Sequence, residues 1–170
     1  ADMAMYQAKR NGKNSLAYFD AKLEQDIQQR VYTEAKLRLA IENEDFILHY
    51  QPQIDLFTGA VVGLEALVRW QKKDGSLVYP DGFISVAEEM NLISRITEIV
   101  LNQVCDNLIK WQADELLNNI PIAVNISALD FNNKNFIERI FSTLNRYQFD
   151  TKLLEFELTE SAIFKDIDYV

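Results

Sequence analysis

The order of strand-like and helix-like segments predicts an α/β fold with a largely parallel sheet. Three observations carry that expectation. Residues 46–54 and 61–70 are β-branched and alternating, and a Thr58-Gly59 turn lies between them, so they read as an antiparallel hairpin. Beyond the hairpin, strand-like runs at 121–127 and 153–158 alternate with helical stretches at 92–117 and 136–147. Such alternation makes strands parallel with helices outside, the layout of doubly wound sheets and of TIM barrels. A closed barrel needs about eight strands and ~250 residues. Only about four strand signals are present, so a barrel here would be roughly half of one.

Each element has its own local reasons. Residues 1–14 carry a short apolar stripe (Ala4, Met5, Ala8) and end at Asn11-Gly12, a natural helix stop. Residues 20–44 form a long amphipathic helix, with Leu23, Ile27, Val31, Leu37, Leu39, Ala40 and Ile41 at roughly helical spacing. In the first strand Phe46, Leu48 and Tyr50 alternate with Ile47, His49 and Gln51, and Pro52 marks an edge or the end of regular pairing. Residues 72–81 are polar and contain Gly75 and Pro80, hence a loop. A short helix at 83–89 follows, and Asn91 turns the chain because Asn tolerates left-handed geometry. The helix at 92–117 buries Ile96, Ile99, Val100, Val104, Leu108 and Trp111. The helix at 136–147 turns Ile137, Ile140, Phe141 and Leu144 inward.

Composition narrows the function classes. The chain has 170 residues, 48% of them hydrophobic, and a net charge of -9. That is length for about one packed domain. No segment approaches the ~20 apolar residues of a membrane span, and no signal-peptide pattern opens the chain. The acidic balance argues against binding a nucleic-acid polymer, but not against a single anionic small ligand. Cys105 is the only cysteine, so no internal disulfide forms, and its place on an apolar helix stripe makes it a core residue. A reducing, cytoplasmic setting fits. The chain begins Ala1-Asp2 and stops at Val170 just after a strand, as a piece of a longer protein would.

Three strands carry polar residues where an α/β core is usually apolar. Glu65, Leu67 and Arg69 share one face of GLEALVRW at 63–70, since side chains alternate along a strand. AVNIS at 123–127 carries Asn125 and Ser127. LLEFEL at 153–158 carries Glu155 and Glu157, with Glu160 just beyond. In a barrel, chemistry sits at the carboxyl ends of strands. Two carboxylates and an amide oxygen from three strands make a hard-oxygen site suited to Mg or Mn rather than zinc. A lone strand glutamate also simply faces solvent at an edge, the preferred reading for Glu155. His49, with no second His or Cys nearby, reads as a satisfied structural imidazole rather than a ligand. The residues alone leave the reaction open among phosphoester hydrolysis, metal-assisted aldol chemistry and none.

The motifs YQPQ at 50–53, GLEALVRW at 63–70, FISVAEEMNLI at 83–93, AVNISALDF at 123–131 and LLEFELTES at 153–161 resemble, in order and spacing, the EAL domain family of bacterial cyclic di-GMP phosphodiesterases. The resemblance covers about residues 25–170. Residues 1–14 resemble the last helix of a GGDEF (diguanylate cyclase) domain, whose catalytic loop is absent. The implied organisation is a GGDEF tail over 1–19, a linking helix over 20–44 and the N-terminal half of an EAL domain over 45–170. The implied fold is a partial TIM-like (β/α) barrel with its first strand antiparallel, truncated after about half of its strands.

The resemblance also implies roles. Glu65, Asn125 and Glu157 would ligate Mg or Mn in a two-metal site, and Glu65 would be catalytic. Arg69 would hold a ligand phosphate, while Gln51 and Leu67 would line the nucleotide site. Glu160 would position an active-site loop. The implied reaction is hydrolysis of cyclic di-GMP to linear pGpG. Lys72-Lys73 stand where the family often has His-Pro, and Asn91 stands for a usual Gly. The family's DDFGTG-like aspartate pair, its catalytic lysine and a later glutamate would fall past Val170. These residues alone are therefore expected to be inactive and, with an open half-barrel edge, to self-associate. No membrane contact is expected of them. The alternative class is a cyclic di-GMP receptor or protein-interaction module, and the residues past Val170 would separate the two.

Overall fold

The computed structural model describes residues 21–131 and 133–158. The predicted helix at 1–14 and Glu160 lie outside these residues. The elements run α1 (Ala21–Glu42), β1 (Phe46–Ile54), β2 (Val61–Gln71), β3 (Leu77–Val78), a 3-10 turn (Pro80–Gly82), α2 (Ile84–Glu89), α3 (Ile93–Trp111), β4 (Ile122–Ile126), α4 (Ala128–Phe131), α5 (Lys134–Leu144), a second 3-10 turn (Thr151–Leu153) and β5 (Leu154–Leu158).

The strands form one sheet in the order β1-β2-β4-β5, with β3 paired to the end of β2. β1 and β2 are antiparallel, with Gln51 opposite Glu65 and Ile47 opposite Arg69. β2–β4 and β4–β5 are parallel. This is the hairpin followed by parallel strands that the sequence predicts, with Pro52 on the edge strand. The hairpin turn is fixed by Asp55, whose Oδ1 accepts from the backbone N–H groups of Phe57 and Thr58 at 3.0 and 2.7 Å. Those hydrogen bonds hold the Asp55 carboxyl below its usual pKa. Gly59 closes the turn at φ 72, where a side chain would be strained.

One sheet face packs on helices. Phe46, Leu64, Ala66, Trp70, Ile122, Val124 and Ile126 are buried against Phe83, Ala87 and the α3 residues Ile96, Val100 and Val104. Polar contacts fix α3 across β1: Gln103 Nε2 donates to the Phe46 carbonyl at 2.8 Å, and Asn107 Nδ2 donates to the Tyr50 hydroxyl at 2.7 Å. Cys105 is buried in this layer, and desolvation pushes its thiol up to about 11. It is a core residue, as expected, and far from a reactive thiolate at neutral pH.

Several expectations are corrected. α3 ends at Trp111 rather than near residue 117, because Asp114 Oδ1 accepts from the N–H groups of Leu116 and Leu117 and turns the chain. The predicted loop at 72–81 contains the two-residue β3. α5 turns Phe136 and Thr143 inward, while Ile137 and Phe141 are exposed. α1 buries Thr33, Leu37, Ala40 and Ile41 but exposes Val31 and Leu39. Leu23 and Ile27 lie outside the described side chains. Asn91 does take positive φ, at 56, as predicted. Among the described residues no helix is long and apolar enough to cross a membrane.

Candidate functional site

The second sheet face is polar, and the register decides what stands on it. Laterally paired residues in a sheet point the same way. Gln51 pairs with Glu65, Glu65 with Ala123, and Ala123 with Glu155. Two residues further along, Asn125 pairs with Glu157. Glu65, Leu67 and Arg69 therefore share a face with Gln51, Asn125, Glu155 and Glu157, opposite the helix-packed core.

Glu65 and Asn125 meet directly: Asn125 Nδ2 donates to Glu65 Oε1 at 2.7 Å, across 60 residues of sequence. Glu157 is half-buried on the neighbouring strand beside Asn125. Arg69 is 9% exposed. Its Nη1 donates to the Val68 carbonyl at 2.9 Å, and its buried Nε has no hydrogen-bond partner among the described residues. A guanidinium that is nine-tenths buried keeps its charge and has a donor with which an anion could pair. A recess of about 560 Å³ lies on the other side, between the sheet and α2–α3, lined by Ala66, Val68, Ile84, Ile96, Val100 and Ile126.

The predicted set thus divides. Glu65, Asn125, Glu157, Arg69, Leu67 and Gln51 lie on one sheet face. Glu160 falls outside the described residues. Glu155, expected at a solvent edge, is exposed and stands in the Gln51–Glu65 row. His49 is exposed opposite Leu67 and has no hydrogen bond among the described residues, so it is not the satisfied structural imidazole expected.

The donors are carboxylate and amide oxygens, the chemistry of a hard divalent cation. Half a turn of the Asn125 amide about its last torsion would present oxygen rather than nitrogen. Among the described residues no three His, Cys, Asp or Glu side chains cluster to hold a metal. Two carboxylates and one amide are part of a ligand shell and fit one.

One residue was missed. Asp130 is fully buried and accepts hydrogen bonds from Ser94 Oγ and, at 2.7 Å, from Thr97 Oγ1. Its backbone N–H donates to Ser127 Oγ at 3.1 Å. Asp130 therefore ties the turn after Asn125 to the first turn of α3, where Leu92 gives no side-chain cap. A carboxylate there also suits the helix dipole. Ser127-Ala-Leu-Asp130 has capping-box spacing, the signal that could have found it.

This is an α/β protein of the barrel-forming kind, with oxygen donors gathered on the sheet face away from its helices. The chain belongs to the EAL domain family, whose model matches residues 34–169. It is 38% identical over 169 residues to the signaling protein YkoW of Bacillus subtilis, covering 99% of this chain and 21% of that protein. It is 34% identical over 168 residues to the bifunctional diguanylate cyclase/cyclic di-GMP phosphodiesterase MucR of Pseudomonas aeruginosa, covering 99% of this chain and 24% of MucR. Among solved structures, the MucR phosphodiesterase in complex with c-di-GMP superposes with a TM-score of 0.73 at 34% identity, over 81% of this chain and 55% of that one. The chain thus spans under a quarter of the length of these two curated relatives.

Replacing Asp130 by Ala removes the acceptor of the half-buried Ser94 hydroxyl and leaves the buried Thr97 hydroxyl only the Ile93 carbonyl, at 3.2 Å, and is expected to cost about 1–3 kcal/mol of stability. Urea denaturation measures this, and an unchanged midpoint would contradict the clamp.

Proposed function

We propose that these residues form the N-terminal half of a cyclic di-GMP phosphodiesterase domain that cuts one phosphodiester to give linear pGpG. The observation that carries this is the joint placement of the Glu65–Asn125 pair and the buried, donor-rich Arg69 on one strand face. The MucR likeness supports the substrate, and the 55% coverage of that structure supports the half-domain reading.

Glu65, Asn125 and Glu157 hold divalent metal, Mg or Mn, with further ligands from other parts of the domain. The bound metal supplies Lewis acidity and a water of lowered pKa. Arg69 binds a ligand phosphate through its free donor edge and fixes it relative to Glu65. Leu67 and Gln51 line the nucleotide, one with apolar surface and one with an amide. Glu160 positions a loop. Residues 1–19 are the tail of a GGDEF domain and residues 20–44 the connecting helix.

A partial site does not complete the reaction, so the 170 residues alone are inactive. Turnover of cyclic di-GMP with Mg²⁺ or Mn²⁺ is the test. Glu65→Gln in the protein carrying the whole domain is expected to lower kcat at least about 100-fold, the scale of losing one strong electrostatic contributor. A retained rate there would remove Glu65 from the metal site. Turnover by residues 1–170 comparable to the whole domain would overturn the half-site reading.

In the described sheet β1 and β5 are the edges, and unpaired strand edges template association. The 170-residue chain therefore self-associates through them. Sedimentation velocity is expected to give dimers or larger species at micromolar concentration, and a clean monomer would count against this.

A further inference from the structure

We infer that Tyr79 is a positioning residue for the anion-binding arginine, holding the Arg69 guanidinium against its ring without taking up the unused donor. The inference rests on the phosphate-binding reading of Arg69 given above and adds what keeps that side chain in place.

The backbone sets the pair up. β3 is only two residues long, but its antiparallel register places Val78 opposite Trp70. Continuing that register by one residue puts Tyr79 across from Arg69 on the same face. The Tyr79 carbonyl accepts from Gly82 N–H at 2.9 Å, and the chain turns at Pro80, so the Tyr79 backbone is held at the start of a rigid turn. The Arg69 guanidinium carbon lies 4.8 Å from the Tyr79 ring centroid, within the range of a cation–π contact.

Arg69 otherwise has few restraints. Among the described residues its one side-chain hydrogen bond runs from Nη1 to the carbonyl of the adjacent residue, Val68. No carboxylate pairs with it among the described residues. A carboxylate partner would hold the guanidinium but also occupy its donors and cancel its charge. A ring face holds the cation through its quadrupole and takes up none of its N–H donors. Tyr79 is itself 60% exposed, far more than core packing would leave it. An exposed aromatic stacked on a buried cation is the arrangement expected if ring and guanidinium together floor an anion site.

The test is a double-mutant cycle on cyclic di-GMP affinity and kinetics in the protein carrying the whole domain. Tyr79→Leu keeps bulk but removes the π face, and is expected to weaken binding and raise KM about fivefold while kcat changes less than about twofold. Tyr79→Phe keeps the face and is expected to bind within about twofold of the parent. In an Arg69→Ala background Tyr79→Leu is expected to have no further effect, because Tyr79 acts only through Arg69. Thermal melts of all variants check that the fold persists. If Arg69→Ala itself leaves affinity intact, the phosphate-binding reading fails. If Arg69→Ala abolishes affinity while Tyr79→Leu is silent, or its effect is undiminished without Arg69, the positioning role of Tyr79 fails.

Discussion

The pairing of β2 between β1 and β4 is the constraint on which the rest depends. Leu64 stands opposite Ile122 and Glu65 opposite Ala123, and the Leu64 N–H donates to the Pro121 carbonyl at 2.9 Å. Side chains in a strand have period two, so a slip of one residue would send every polar group into the helix layer and every apolar group out. The buried row of Leu64, Ala66, Ile122 and Val124 makes such a slip costly. The hydrophobic core thus aligns the site without touching it. Glu65 and Asn125 are gathered because their neighbours are buried in the core with α3, and Glu157 joins them through the β4–β5 register.

The polar face is assembled from long-range contacts on short elements. Asn125 sits one residue before the end of β4, and the turn beyond it is held by Asp130 through Ser127, Ser94 and Thr97. The buried carboxylate lies on the far side of that turn from the Glu65–Asn125 contact. Arg69 lies instead against the aromatic ring of Tyr79, the residue that follows the two-residue β3. Neither device takes up a side-chain donor or acceptor of Asn125 or Arg69.

Much of this was legible in the sequence. Period-two alternation gave the strands, their facing residues and the antiparallel hairpin. Asn91 announced its left-handed turn. Long-range pairing was less legible. α4 has four residues, too few for a periodic signal. Asp130 shows no role in the sequence because its partners, Ser94 and Thr97, lie more than thirty residues away. Ile137 and Phe141 match a helical stripe yet stand exposed on α5, because periodicity names an apolar face without saying what packs against it. His49 was judged by composition alone, and only the register places it on the polar face opposite Leu67. Tyr79 needed β3, a strand too short to read.

The central claim is that Glu65, Asn125 and Glu157 act together as cation ligands on one sheet face. Manganese anomalous scattering from crystals of the protein carrying the whole domain, grown with Mn²⁺, tests it most directly. The account predicts an anomalous peak within about 2.0–2.4 Å of oxygen atoms from all three residues. A well-occupied peak elsewhere, with Glu65 and Asn125 still hydrogen-bonded to each other, would contradict it.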